Sequence, residues 1–207
     1  MKKGLTIGIV IIVIILVLGA GYFIFLNKPS PDNINENKQN SNILNLPATT
    51  SKEPSELALE LSDFPSNFSI QERAPRVKSD VSEEGINWGW KKGYITTYVQ
   101  GDDLYGYTII NQYISIYPIE NISRTIEPAV SDNETLVEPI EIEKIGDQSN
   151  AYKITYSEDL GDGNILETVG YQIEFIKKDV YERLIIEGAT KDFELLKNLA
   201  KKSADKI

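Results

Sequence analysis

"NAYKITYSEDLGDGNILETVGYQIEFIKKDVYERLIIEG", residues 150–188, decides the fold class. Three runs rich in β-branched and aromatic residues are separated by the turn-like "DLGDGN" and "KD". Such runs with short polar breaks predict an antiparallel meander. In the last run Val180, Glu182, Leu184 and Ile186 share one face, and Tyr181, Arg183 and Ile185 the other, because side chains alternate along a strand. "DLGDGN" holds Asp159, Asp162 and Asn164, but a calcium-loop register set by Gly163 puts Leu160 and Val169 where oxygen ligands are required. It therefore reads as a Gly-rich hairpin loop.

Downstream, "TKDFELLKNLAKKSADKI" predicts a helix from a cap at Thr190. Acids lie near its start and lysines near its end, as the helix dipole favours. Phe193, Leu196, Leu199, Ala200 and Ala204 form an apolar stripe. The class is α+β: an antiparallel sheet with a C-terminal helix across one face, plus an N-terminal transmembrane helix.

Upstream, "LALELSDFP" reads as an alternating strand ended by Pro65, and "FSIQE" as a short one. "SDVSEEG" reads as a helical turn capped by Ser79 or Asp80 and stopped by Gly85. "WGWKKGYITTYVQ" and "YGYTIINQYISIYPI" predict strands joined at "GDDL". "ENISRTIEPAV" suggests a short helix, and "VEPIEIEKIG" alternates. Strand alternation puts Trp88, Trp90, Lys92, Tyr94, Thr96 and Tyr98 on one face. That stripe either lies under a second layer, as large aromatics usually do, or forms an exposed platform; Trp88, Trp90, Tyr94 and Tyr98 are its candidate ligand-binding residues.

The amino end decides localisation. Leu5 to Leu26 are uncharged, and as a helix they span roughly 33 Å, enough to cross the lipid bilayer. "GAG" at Gly19–Gly21 resembles a signal-peptidase site, yet cleavage there leaves "YFIFL" as an exposed apolar start, which favours an uncleaved signal-anchor. The type IV pilin pattern fails, because Ile9 stands where a Glu is needed. Lys2 and Lys3 against Lys28 place the N-terminus in the cytoplasm and the rest outside the cell membrane, single-pass. Residues 1–27 are thus the anchor, 28–55 an Asn- and Pro-rich flexible linker, and 56–207 one extracytoplasmic domain.

Composition excludes more than it assigns. The 207 residues carry 31 acids and 21 bases, a formal charge of −10. Such a surface repels phosphate backbones and argues against nucleic acid and against an anionic membrane surface. There is no cysteine or histidine. Thiolate nucleophiles, Cys and His metal sites and Ser-His-Asp triads are excluded. "GWKKG" lacks the spacing of a phosphate loop. Ser203 and Lys206 match a Ser-xx-Lys pair, but in the last helical turn, where a buried, low-pKa lysine is implausible. No metal or cofactor is expected. Three glycosylation sequons occur, at Asn67, Asn121 and Asn133, with Asn133 in the most loop-like context.

"LELSDFPSNFSI", "GWKKGY", "YQIEFIKKDVYERLIIEG" and "LLKNLAKKSADKI" occur in an order that resembles PsbP-like extracytoplasmic domains. The resemblance implies an α/β sandwich in binding or accessory roles, mostly without catalysis, and supplies no functional residue. Three functions remain in play. The first is an anchored binding, sensing or accessory module with an extracytoplasmic protein or glycan partner. The second is a surface hydrolase using two carboxylates about 5 to 10 Å apart. The third is a structural surface protein.

Overall fold

The computed structural model describes residues 49–102, 106–126, 128–132, 134–159 and 165–207. The quoted meander forms β5 (Gln148–Asp159), β6 (Ile165–Lys177) and β7 (Val180–Gly188), antiparallel throughout. The two-residue turn between β6 and β7 needs a left-handed residue, which Lys178 supplies at φ 55°. Four further strands are β1 (Phe68–Arg76), β2 (Lys92–Asp102), β3 (Gly106–Ile116) and β4 (Thr135–Pro139). The seven-stranded antiparallel sheet runs β1-β2-β3-β7-β6-β5-β4. Strand β7 therefore inserts between β3 and β6, and β3 connects to the far edge strand β4 through residues 117–134.

The C-terminal helix, Phe193–Lys206, lies across one face. Leu196 and Leu199 are fully buried against Ile110, Ile114, Ile173, Phe175, Leu184 and Ile186. Each such leucine contributes on the order of 2 kcal/mol by leaving water. At the end of the sheet where β7 begins, Lys177 Nζ donates to Ala204 O at 2.6 Å and Lys178 Nζ to Ile207 O at 2.5 Å. These cations sit at the negative end of the helix dipole, where Ala204 O also accepts from Ile207 N at 3.3 Å.

The first described residues belong to the same packed unit. Thr50 N donates to Asp179 Oδ1 at 2.7 Å. Pro54 and Leu57, in the short helix Pro54–Leu57, are buried, although the sequence reading places Pro54 in the linker. "LALELSDFP" is not a strand. Its residues follow that helix into a 3-10 turn, Leu61–Asp63, while Leu57, Ala58 and Leu59 fill the core beside β2 and β3. The run is apolar because it caps the core edge, and the sheet offers it no strand to pair with.

Other boundaries move for local reasons. The helix Glu83–Asn87 is capped by Ser82, whose hydroxyl accepts from Gly85 N at 3.1 Å, so Gly85 lies inside it and does not stop it. The C-terminal helix is capped by Asp192, accepting from Leu195 N at 3.0 Å, and not by Thr190. Thr190 N is held by Thr108 Oγ1 at 2.9 Å. Among its described residues "ENISRTIEPAV" forms a 3-10 turn, Ile122–Thr125, and in "VEPIEIEKIG" the strand ends at Pro139, with Ile140 N still donating to Ala151 O at 2.8 Å. Residues 1–48, with the expected span at 5–26, lie outside the described residues, as does the loop 160–164. Among the described residues no helix is long and apolar enough to cross a membrane.

Between helix and sheet lies one polar knot. Glu182 Oε2 accepts from Ser203 Oγ at 2.5 Å and from Gln112 Nε2 at 3.0 Å, all three buried. Burial pushes the Glu182 carboxyl up to about 7, against the smaller opposite pull of its two donors and of Lys206. A carboxyl with a folded pKa above its unfolded one stabilises the fold fully below the unfolded pKa and loses this as pH rises through the folded pKa. Unfolding free energy should therefore fall between about pH 4.5 and 7 by roughly 3 kcal/mol from this group. Denaturant titrations of the full chain at pH 5 and pH 8 should show that Glu182→Gln removes that share of the slope. An unchanged pH dependence in the variant would refute the assignment.

Candidate functional site

Strand β1 leaves the sheet at Arg76, whose partner on β2 is Gly93. Beyond this pair a cavity of about 420 Å³ opens, lined by Glu53, Pro54, Ser55, Pro75, Arg76, Val77, Lys78, Trp90, Lys91, Lys92, Gly93 and Tyr94. Four of these side chains are cationic and one is acidic, in a chain of net charge −10. The single acid, Glu53, meets Lys92 Nζ at 2.7 Å, with both side chains well exposed. A pair so exposed is worth little to stability and gives way readily to another anion.

A buried serine organises the inner wall. Ser115, 1% exposed, lies opposite Gly93 on β3. Its hydroxyl accepts from Arg76 Nη1 at 2.8 Å and from Trp90 Nε1 at 3.3 Å. Gly93 permits this meeting: a Cβ there would lie 2.5 Å from Ile114 O and 3.4 Å from both Arg76 Cδ and Ser115 Oγ. Arg76 Nη2 donates to the carbonyl of Asp80. Among the described residues no carboxylate pairs with Arg76. Its guanidinium lies 5.6 Å from the Tyr113 ring centre, and that of Arg183 lies 4.7 Å from the same ring. Burial, and then the repulsion of Arg183, lower the proton affinity of Arg76. An Arg stays charged in proteins, so the result is a poorly solvated cation that an anion would stabilise.

Arg183, against the same Tyr113 ring as Arg76, belongs to a polar cluster of its own. Arg183 faces Glu174 across β6 and β7. Glu174 accepts from Tyr181 Oη at 3.0 Å and from Asn150 Nδ2 at 3.2 Å. Tyr117 and Tyr181 pack with Ile122, Ile126 and Ile176, where the connection from β3 crosses the sheet. Burial raises the proton affinity of both tyrosine hydroxyls.

The aromatic stripe expected from residue 88 onward is broken. Trp88 is the C-cap of Glu83–Asn87, Gly89 turns the chain at φ 89°, and β2 starts only at Lys92. Alternation therefore does not run through the tryptophans. Trp88 and Trp90 pack on the cluster of Tyr117, Ile122 and Tyr181, while Tyr94 and Tyr98 belong to the helix-side core. Tyr98 is fully buried, its hydroxyl donates to Leu59 O at 2.5 Å, and burial pushes it up to about 12. It leaves no surface for a ligand. Trp90 and Tyr94 line the cavity; Trp88 and Tyr98 do not.

Of the sequons, Asn67 is exposed at φ 78°, just before β1. Asn121 Nδ2, the atom a glycan would take, donates to Trp88 O at 2.9 Å. Asn133 lies outside the described residues. The sequence reading missed Arg76, Lys78, Gly93 and Ser115. "RVK" and "WKKG" carry the charges, but nothing local says that Arg76 and Trp90 share one hydroxyl on a third strand.

Replacing Ser115 with Ala strands two donors at once. Ser115→Ala should lower unfolding free energy by about 1–3 kcal/mol. Because Trp88 and Trp90 are the two tryptophans of the chain, intrinsic fluorescence reports the site directly. The variant should show red-shifted emission before unfolding; a wild-type spectrum would show that Ser115 does not hold the indole. No family model matches this chain, and no curated protein or solved structure does so either.

Proposed function

We propose that the protein is a membrane-anchored, extracytoplasmic binding module without catalytic activity, and that its ligand is anionic. One observation carries this reading: Arg76 is held in place by Ser115 and Asp80, faces a cationic cavity and has no carboxylate partner among the described residues. A guanidinium kept in a fixed orientation loses little entropy on meeting a carboxylate or phosphate. The uncharged stretch at residues 5–26 supplies the anchor, and the acidic, linker-borne domain suits the outside of the cell. The resemblance to PsbP-like domains implies the same kind of role.

The hydrolase alternative needs two carboxyls in one cleft. The carboxyls that burial pushes up to about 7 are Glu182 and Glu187. Glu182 points into the layer under the C-terminal helix and Glu187, an odd number of residues away, to the opposite face. They do not form a pair. The absence of histidine removes the commonest alternative base.

Calorimetric titration of the full chain, in a nonionic polyoxyethylene detergent, with inorganic phosphate tests the reading. Wild type should bind saturably, and Arg76→Gln should weaken binding by about tenfold, the loss of one charge-assisted contact. Glu53→Gln, which frees Lys92, should tighten it by about threefold. Exposed Arg124 lies outside the cavity, so Arg124→Gln should change nothing. Equal binding by wild type and Arg76→Gln would overturn the assignment.

A further inference from the structure

We infer that the cavity takes an acidic carbohydrate: a sugar ring carrying one or two carboxylate or phosphate groups. This rests on the anion reading above and names the ligand class for the same site. Three features carry it. The first is size. At about 420 Å³ the cavity falls within the range of small-molecule sites, and a bare inorganic anion would fill only part of it.

The second is the chemistry of the walls. Trp90 and Tyr94 offer aromatic surface, and Pro54 and Pro75 add saturated rings. An aromatic face is electron-rich, so the slightly positive C–H face of a sugar ring packs on it favourably. The Trp90 indole is fixed by its bond to Ser115, which makes it a preformed wall. Ser55, Lys91 and the Glu53 carboxylate lie round the opening, where they can serve hydroxyls as donors and acceptors. One acid group of the ligand meets Arg76; a second, where the ligand carries one, takes the place of Glu53 on Lys92.

The third is electrostatic. The cavity is cationic, while residues 29–207 carry 18 basic and 31 acidic side chains. At physiological salt, exposed charges act over about 8 Å. A ligand whose few charges stay inside the cavity feels its cations. A densely charged polyanion would extend into the repulsive field of the rest, as a nucleic acid with a charge every ~1.7 Å would. Sparse charge on a polar ring fits both conditions.

Calorimetry on the full chain in the same detergent, with glucose 6-phosphate, glucuronate, glucose, AMP, acetate and inorganic phosphate, tests this. Glucose 6-phosphate should bind about tenfold tighter than inorganic phosphate, and glucuronate about tenfold tighter than acetate. Glucose should bind at least about tenfold more weakly than glucose 6-phosphate. Trp90→Leu should bring the ratio of glucose 6-phosphate affinity to phosphate affinity close to one. Tyr94→Leu makes the same test on the other wall if the Trp90 variant does not fold. If phosphate binds and glucose 6-phosphate binds no tighter, the carbohydrate inference falls and the anion reading stands. Tighter binding of AMP than of glucose 6-phosphate also overturns it, in favour of a nucleotide. If no anion binds at all, both readings fall.

Discussion

The central strands β3 and β7 are buried on both faces, and much of the molecule follows from how each face is satisfied. A strand with one wet face can place any polar residue there. These two cannot, because the C-terminal helix covers one side and the connection from β3 to β4 crosses part of the other. Most polar side chains on them find partners; Glu187 Oε2 is buried without a hydrogen-bond partner among the described residues, and burial pushes that carboxyl up to about 7. On the helix side Gln112, Glu182 and Ser203 close into one knot within an otherwise apolar layer. On the other side Ser115, Tyr113, Tyr181 and Arg183 draw in groups from neighbouring strands. Arg76 is among them: it reaches from the edge strand over Gly93 to Ser115. The cavity is thus an outgrowth of core satisfaction at the corner of the sheet, and so its guanidinium is rigid.

Charge in this protein has to be read locally. The formal total is strongly negative, which taken alone speaks against any anionic partner. Folding gathers Arg76, Lys78, Lys91 and Lys92 around one opening and leaves a single acid, Glu53, among them. Screening confines each charge to its surroundings, so the site and the whole chain can favour opposite signs of ligand. The same contrast limits how much negative charge a ligand can carry beyond the opening.

Much of the fold was legible. The meander from 148 to 188 and the helix after it follow from period-two and helical apolar patterns that act over a few residues. The two faces of Val180–Gly188 are those the alternation requires, with Val180, Leu184 and Ile186 in the main core. Errors arose where a pattern was extended past its element. Alternation through Trp88 and Trp90 assumed a strand that Gly89 and the preceding helix forbid. The apolar run at Leu57–Leu61 looked like a strand because period alone does not reveal whether a neighbour exists to pair with it. The caps went to Ser82 and Asp192, each one of several capping residues within reach: Thr190 N is held by Thr108 Oγ1, and Asp80 closes its own 3-10 turn by accepting from Val77 N at 2.8 Å.

The sequence by itself determined the class of fold, the helix-facing side of the last strand, the acidic balance and the absence of cysteine and histidine chemistry. Those properties depend on composition or on neighbours within a turn or two. Tertiary structure alone decided the site. Arg76, Trp90 and Ser115 lie on three separate segments, and only the register that pairs Arg76 with Gly93 and Gly93 with Ser115 brings them to one hydroxyl. Register is set by which faces must be buried together across the whole sheet, a non-local condition that no short stretch of sequence encodes.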